Sequence, residues 1–415
     1  MMNLFVPNLN FEDDLARRPR QMSGQTIRVL NELAPLFGLL ANDGDLVQVS
    51  DDAVPASVPE CLAHATFVCR SDSVGKLVQQ RIIPWGWTEQ TRHAALNIKM
   101  SPTEIPAAEA VTYVNSRDFN AKFDAVECDQ EELLPFGGDN FGVICRNITE
   151  WECGVQQLER FRFPHWVAKP QISHAGRNRL LANGTALNGQ QRGWLEKHLA
   201  LPGGIYLEPW VRPNEECGLQ FEIIPSDLSV AKSECVVQLV GVSGLLNDHV
   251  GRYQGSLIRQ DDLLANDWRS AVTHGVSVCQ AAAAAGYFGP IGIDCFRFCL
   301  PDGSQALRMC NDVNARFTMG RLALQLRSSL QSLQYGAWCH FAVPDFSRFC
   351  DSVRKGLTQP AEENVSMIVT SPMSVGGQPI RSGTILFAGD SQERLVRVVS
   401  LFRDQAAGTR HDSLP

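Results

Sequence analysis

The most constraining stretch of the chain is residues 286–321, which contain two apolar β segments. The segments cover residues 291–300 and 305–313. Residues 301–304 lie between them with the sequence Pro-Asp-Gly-Ser, a composition typical of tight turns. The pattern predicts a β-hairpin, and this hairpin carries polar residues at positions where a buried strand would normally have apolar ones.

Two carboxylates and an amide share one face of this hairpin if its loop has an odd number of residues. Side chains alternate faces along a strand, so Asp312 and Asn314 project to the same side. A loop of three or five residues places Asp294 opposite Asp312, whereas a four-residue loop moves Asp294 to the other face. We expect the odd loop, because these oxygens form a hard-ligand site suited to Mg²⁺ carrying nucleotide phosphates. The alternative is that Asp294 is a turn or edge residue and Asp312 a helix cap.

The hairpin also resembles the metal-binding end of the ATP-grasp superfamily. Members of that superfamily hold one or two magnesium ions with an acid on one strand and an E-x-N motif on the next. Asp294 matches the first acid, and Asp312 with Asn314 matches E-x-N, with Asp one methylene shorter than the usual Glu. The resemblance implies that these three residues are metal ligands. It also implies a catalytic role for Arg316, which matches a position near the transferred phosphoryl group.

A second informative stretch, residues 166–179, reads as an apolar strand that delivers Lys169 to a turn. A lysine in that position is costly to bury unless its ammonium group meets an anion, and a phosphate oxygen is a suitable partner. The turn contains Gly176, which lets backbone N–H groups approach phosphate oxygens. Neither a Walker-type loop nor a Rossmann fingerprint occurs. The stretch resembles the ATP-grasp V-x-K-P strand and its phosphate-covering loop, which would include Ser173, Gly176 and Arg177.

Residues 205–223 read as a strand, a polar hinge and a second strand. In the ATP-grasp resemblance, this arrangement encloses adenine between two lobes. It implies an adenine acceptor at Glu208, ring-edge recognition by the backbone of Trp210 and Val211, and ribose binding by Glu215 or Glu216. On the residues alone, the alternative is an edge strand with exposed glutamates.

Two basic residues, Arg117 and Lys122, follow a β segment predicted over residues 111–114. Many ATP-grasp proteins place a basic residue near this junction to contact the α-phosphate. The resemblance therefore makes Arg117 and Lys122 candidate nucleotide ligands. The alternative is that both are exposed residues at the start of an amphipathic helix.

The chain as a whole is predicted to have an α/β fold. A strand at residues 3–6, a helix over 25–40 and a strand at 46–49 form a β-α-β pattern typical of a parallel open sheet. With the resemblance, we expect four units: a pre-ATP-grasp α/β domain (1–112), an ATP-grasp N-terminal lobe (113–207), an ATP-grasp C-terminal lobe (208–334) and a C-terminal cap (335–415). A glycine-spaced loop over residues 251–256 is expected to lie above the cleft.

Composition limits the possible partners. The 415 residues are 44% hydrophobic and 20% charged, which is ordinary for a globular protein, and the formal charge of −8 argues against nucleic acid as a partner. The sequence has no apolar run long enough for a membrane span. Nine scattered histidines argue against zinc, while thirteen cysteines without C-x-x-C or a secretory signal favour a reducing, cytoplasmic location.

The resemblance covers roughly residues 113–330 and is strongest for the ATP-grasp branch that includes natural-product peptide ligases. It implies that ATP and Mg²⁺ activate a small-molecule carboxylate as an acyl phosphate, which an amine then attacks to form an amide or peptide bond. Amino acids or peptides are the expected substrates, and a homodimer is possible because many relatives pair. Two alternatives stay open: an ATP-grasp kinase, and a non-catalytic nucleotide-binding module.

Overall fold

Over the residues that the structure describes, the fold contains three main β-sheets, of four, four and nine strands, and a two-stranded ribbon. A computed structural model describes residues 2–16, 22–69, 80–172, 178–225, 235–248, 250–261, 263–358 and 364–411. None of the helices in these ranges combines the length and apolar composition needed to span a membrane.

The first domain is built on a parallel sheet, as the β-α-β pattern predicts. Its strands are β1 (Met2–Val6), β2 (Leu46–Val49), β3 (Thr66–Cys69) and β4 (Gln80–Pro84), in the order β3-β2-β1-β4. The helices up to residue 120 are α1 (Phe11–Leu15), α2 (Gly24–Leu33), α3 (Glu89–Asn97), α4 (Ala108–Val114) and α5 (Arg117–Asn120). The helix predicted over residues 25–40 is α-helical only to Leu33 and continues as a 3-10 helix, Ala34–Leu40. Pro35 has no N–H to donate, so regular α-helical bonding cannot pass through it.

The strand predicted over residues 111–114 is wrong, because these residues end helix α4. Ala110, Val111 and Val114 are buried, at positions that share one face of a helix. The valines suggested a strand, but Ala and Glu earlier in the segment favour a helix and the burial pattern follows helical spacing. The helix ends at Asn115, immediately before α5.

The second unit is an antiparallel sheet of β6 (Val143–Cys145), β7 (His165–Pro170), β8 (Leu180–Asn183) and β9 (Ile205–Pro209), in the order β6-β9-β7-β8. The short preceding strand β5 (Val126–Glu127) instead joins the large sheet. Helices α6 (Ile148–Arg160) and α7 (Gly189–Leu199) belong to this unit, and Trp151 of α6 meets Trp166 of β7 with ring centroids 5.6 Å apart. Strand β9 crosses the boundary predicted at residue 207, so Glu208 belongs to this sheet.

Besides β5, the large sheet contains β10 (Glu215–Pro225), β11 (Cys235–Asn247), β12 (Tyr253–Arg259), β13 (Gly289–Cys299), β14 (Gln305–Asn314), β15 (Tyr335–Ala342), β16 (Val365–Val369) and β19 (Ser382–Gly389). Their order is β16-β19-β15-β12-β11-β10-β13-β14-β5, with every pair antiparallel. Strands β17 (Ser374–Val375) and β18 (Gln378–Pro379) form the ribbon. The remaining helices are α8 (Leu263–Asp267), α9 (Arg269–Ala284), α10 (Met319–Gln325), α11 (Phe346–Leu357) and α12 (Gln392–His411). Strands β15, β16 and β19, from the segment predicted as a cap (335–415), therefore extend the sheet of the preceding lobe.

The loop predicted over residues 251–256 is only partly a loop, because β12 begins at Tyr253 and continues through Gly255. Gly255 pairs with Cys339 of β15, and a Cβ at Gly255 would lie 2.5 Å from the carbonyl oxygen of Trp338. The glycine is thus required by close approach of two strands. The sequence pattern alone does not distinguish this use of glycine from a flexible loop.

The predicted hairpin forms, and a register shift brings its two acids together. Near the turn Cys299 pairs with Gln305, which leaves a five-residue loop. Continued without change, that register would pair Asp294 with Cys310. An irregularity beside Asp294 moves the pairing by two residues, so Asp294 lies directly opposite Asp312. A shift of two preserves the face of every side chain, as the odd loop predicts.

Gly204 lies immediately before β9 and packs closely against the neighbouring strand β6. Its φ is +68°, and an added Cβ would lie 2.1 Å from the carbonyl oxygen of Cys145. We expect Gly204→Ala to lower the free energy of unfolding by about 2–4 kcal/mol, measured by urea denaturation. The control is Gly193→Ala in exposed α7, where nothing lies within 4 Å and stability should rise by up to about 1 kcal/mol. Equal losses in both variants would contradict the steric argument.

Candidate active site

A cleft of about 1180 Å³ is lined by the four-stranded antiparallel sheet, the large sheet and the first domain. This volume exceeds the roughly 300–1,000 Å³ usual for one small-molecule ligand, so the cleft has room for more than one. The predicted site residues that line it are Arg117, Lys169, Glu208, Trp210, Val211, Glu216, Asp294, Asp312, Asn314 and Arg316. Ser173, Gly176 and Arg177 lie outside the described residues.

The polar face of the hairpin forms part of the cleft wall. Asp294 lies opposite Asp312, and the Asn314 amide donates to Oδ2 of Asp294 at 3.3 Å. Loss of hydration and the negative charge of Asp312 raise the pKa of Asp294 to about 7. A cation placed between these carboxylates would offset both effects. Over the part of the chain that the structure describes, no group of three or more His, Cys, Asp or Glu side chains is arranged for a metal ion, so Asn314 would have to be the third ligand.

The guanidinium of Arg117 is paired with the carboxylate of Asp312. Its two terminal nitrogens donate to the two oxygens of Asp312 at 2.9 and 3.1 Å, and the Asn120 amide adds a bond of 3.2 Å. The side chain of Arg117 is 4% exposed, whereas that of Asp312 is 30% exposed, so the carboxylate side of this bidentate pair remains accessible from the cleft. Lys122 lies elsewhere: it is exposed and donates to the hydroxyl of Tyr113 at 2.6 Å.

A chain of buried charges connects the two sheets at the bottom of the cleft. Lys169 on β7 contacts Oε1 of Glu208 on β9 at 2.5 Å, and Arg308 on β14 contacts Oε2 of Glu208 at 2.7 Å. Arg308 also pairs with Asp124 at 2.9 Å, and the hydroxyl of Tyr206 donates to Asp124. Burial alone would raise the pKa of Glu208, but the charges of Arg308 and Lys169 hold it at about 2. Burial lowers the pKa of Lys169.

Arg316 is held by residues from two domains. One of its terminal nitrogens contacts Oε1 of Glu12, in helix α1, at 2.6 Å and donates to Oδ1 of Asn314 at 3.0 Å. The other donates to the carbonyl oxygen of Phe317 at 2.9 Å. The guanidinium carbon lies 5.7 Å from the ring centre of Trp85, which is buried and also lines the cleft. The first domain therefore supplies part of the site.

Some, but not all, of the residues predicted to bind nucleotide at the hinge between β9 and β10 line the cleft. Glu216 lines the cleft, whereas Glu215 lies on the opposite face of β10 and pairs with Arg297 at 2.5 Å. The backbone N–H of Trp210 donates to the carbonyl oxygen of His165 at 2.9 Å. The ring of Trp210 lies 4.7 Å from the guanidinium carbon of Arg179, another residue of the cleft.

Sequence reasoning missed Arg308, Asp124 and Glu12. Arg308 had a usable signal, because it is a charged residue inside an apolar strand and shares the face of Asp312, four positions later. Asp124 and Glu12 had none, since each meets its arginine only through the tertiary fold.

No family model matches the sequence, and no curated protein matches it significantly. Solved structures do resemble it. An N5-carboxyaminoimidazole synthetase from Staphylococcus aureus complexed with ADP has a TM-score of 0.51 at 9% identity, covering 97% of this chain and 96% of that chain. The ADP complex of an N5-carboxyaminoimidazole ribonucleotide synthetase has a TM-score of 0.50 at 11% identity, with the same coverage. The chain therefore has the α/β ATP-grasp fold expected from its sequence.

The buried ion network gives a stability prediction. Arg308→Met would leave Asp124 and Glu208 buried without their main counter-charge, so we expect a loss of about 3–5 kcal/mol in the free energy of unfolding. Arg297→Met on β13 is the matched control, because its pair with Glu215 is partly exposed and should contribute about 1 kcal/mol or less. Chemical denaturation measures both. Similar small losses in the two variants would contradict a structural role for the network.

Proposed function

We propose that the protein is an ATP-dependent ligase that joins a carboxylate to an amine, with release of ADP and phosphate. The observation that carries this proposal is one cleft in which Lys169 and Glu208 from one sheet accompany Asp294, Asp312 and Asn314 from another. Cationic and hard-oxygen groups are thereby combined as a metal-bound nucleotide requires. The occurrence of ADP in two solved structures of the same fold supports a nucleotide in this cleft.

The nucleotide would extend from the hinge to the hairpin. Both oxygens of Glu208 are paired, one with Lys169 and one with Arg308, so the backbone at Trp210 and Val211 is left to bind adenine. Glu216 is the glutamate placed to bind ribose. The phosphates would then lie near Lys169. The ammonium of Lys169 is already paired with Glu208, so this lysine is held in place before a phosphate arrives.

The residues of the hairpin fit one Mg²⁺ ion. Asp294, Asp312 and Asn314 offer oxygen ligands on one strand face, and phosphate oxygens and water would supply the remainder. Bound there, Mg²⁺ would neutralise phosphate charge during transfer. Burial and the neighbouring charge of Asp312 raise the pKa of Asp294, and a bound cation would favour its ionised form.

The proposed reaction is carboxylate activation. The γ-phosphoryl group of ATP is transferred to the substrate carboxylate, and the amine attacks the resulting acyl phosphate and expels phosphate. Lys169 and Arg316 stabilise the charge on the transferring group. Arg316 is oriented for this by Glu12 and Asn314, and no protein nucleophile is required. Amino acids or peptides are the proposed substrates.

A non-catalytic nucleotide-binding module is the second candidate, and one observation favours it. Both oxygens of Asp312 are engaged by Arg117, and Asn120 adds a further bond. If that pair persists with nucleotide bound, Asp312 contributes less to a metal ion and phosphoryl transfer is weakened. ATP would then bind without being consumed.

Turnover of ATP distinguishes these functions. We expect Mg²⁺-ATP with pooled amino acids and dipeptides to yield equal amounts of ADP and phosphate, and hydroxylamine to trap the acyl phosphate as a hydroxamate. Lys169→Ala and Asp294→Asn should each lower the rate at least about 100-fold, because each removes charge stabilisation of the transferred group. Exposed Lys122→Ala is the control and should retain the wild-type rate.

Three other outcomes would contradict the ligase. ADP formation with a stable phosphorylated product and no free phosphate would indicate a kinase. ATP-dependent thermal stabilisation without turnover in any pool would indicate the binding module. A rate unchanged in Lys169→Ala would place the chemistry away from this cleft.

A further inference from the structure

Helix α2 has two chemically different faces. Its buried Glu32 accepts hydrogen bonds from the backbone N–H groups of Arg381 and Ser382 at 3.1 and 2.8 Å, and Arg28 bonds to both Glu32 and the carbonyl oxygen of Pro379. These contacts attach one face of the helix to the segment before β19. The opposite face is left for the cleft.

That opposite face is apolar. Thr26, Val29, Leu30 and Leu33 follow the i, i+3, i+4, i+7 spacing of one helical face, and all four line the cleft. The three apolar side chains are only half-buried. The stripe thus offers apolar area that the described residues of the protein do not fully cover.

Two more half-buried apolar residues line the same cleft. Leu9 follows β1, and Met319 belongs to α10; both are half-buried and line the cavity. Together with Val29, Leu30 and Leu33 they form what we call the apolar wall. A ligand group placed on this wall would lose hydration without losing hydrogen bonds, so an aliphatic or aromatic group is favoured.

The charges near the wall do not suit a phosphorylated substrate. Among the described cleft-lining residues before Arg117, the charged ones are Glu12 and Asp13, both acidic. Glu12 pairs with Arg316. A phosphate group here would therefore meet negative charge. Arg17, Arg18 and Arg20 lie outside the described residues.

We propose that the carboxylate substrate carries a large apolar side chain, which lies on the apolar wall of α2. The inference rests on the proposed function, in which Arg316 acts where the phosphoryl group meets the substrate carboxylate. The remainder of that substrate must lie beside Arg316. Arg316 borders Trp85, whose ring packs against Phe37 in the 3-10 helix that continues α2.

The test varies one side chain with the amine held constant. Glycine, alanine, leucine, phenylalanine and O-phosphoserine, each also as the N-acetyl derivative, are supplied with Mg²⁺-ATP and hydroxylamine, and hydroxamate is measured. We expect kcat/KM for leucine and phenylalanine compounds to exceed that for glycine about 10- to 100-fold. A preference for glycine or O-phosphoserine overturns the inference while leaving the ligase intact.

Two substitutions at Leu30 of α2 test whether the apolar wall causes the preference for large side chains. Leu30→Ser should remove most of the preference for large side chains by raising KM, with the KM for ATP unchanged, whereas Leu30→Trp should shift the preference towards glycine by filling the wall. Ile27→Ser is the matched control, since Ile27 lies on α2, is 44% exposed and does not line the cleft. An unchanged preference in both Leu30 variants contradicts the wall.

A binding measurement separates failure of this inference from failure of the proposed function. Calorimetry measures the binding of N-acetyl-leucine in the presence of a non-hydrolysable ATP analogue, so no turnover is needed. Binding that Leu30→Ser abolishes and Ile27→Ser retains supports the wall even when the ligase is refuted. Absence of binding in the wild type overturns the inference.

Discussion

The arrangement of the cleft depends on the ion pairs made by the buried guanidinium of Arg308. It lies on a strand of the large sheet, and its partners include Glu208, from the smaller antiparallel sheet, and Asp124. Charges removed from water are tolerated only when paired and hydrogen-bonded, so any other placement of the two sheets would expose unpaired charge to an apolar interior. The network therefore selects one relative position of the sheets. Lys169 is placed by the same constraint, because it shares Glu208.

Two further cations of the cleft are already paired with carboxylates. Arg117 is bound to Asp312 and Arg316 to Glu12, each through short contacts. Under the proposed function, phosphate oxygens would compete with these carboxylates, so nucleotide binding would involve an exchange of partners. Such pre-pairing lowers the gain from each contact but keeps the side chains oriented. It would also give the first domain, through Glu12, a part in the proposed chemistry.

The sequence predicted what depends on local pattern. Alternation along two strands placed Asp294 and Asp312 on one face, because parity survives any even register shift. The shift itself was not predictable, since it arises from packing within the sheet. Helix α4 was missed because valines of a buried helical face look like a strand. The orientation of α2 was equally inaccessible, because Glu32 meets its partners some 350 positions later in the chain.

The two hairpin acids are not equivalent, although the sequence motif treats them alike. Asp312 has both oxygens engaged by Arg117, while the hydrogen bond described for the carboxylate of Asp294 comes from the amide of Asn314 at 3.3 Å. Under the proposed function, a cation would gain most at the less engaged carboxylate, Asp294, whose pKa burial and the charge of Asp312 raise to about 7. Asp294 would then be the primary ligand, and Asp312 would join only as Arg117 turns towards phosphate. Nucleotide and metal would in that case bind cooperatively, because the phosphate that attracts Arg117 also frees the second carboxylate for the ion.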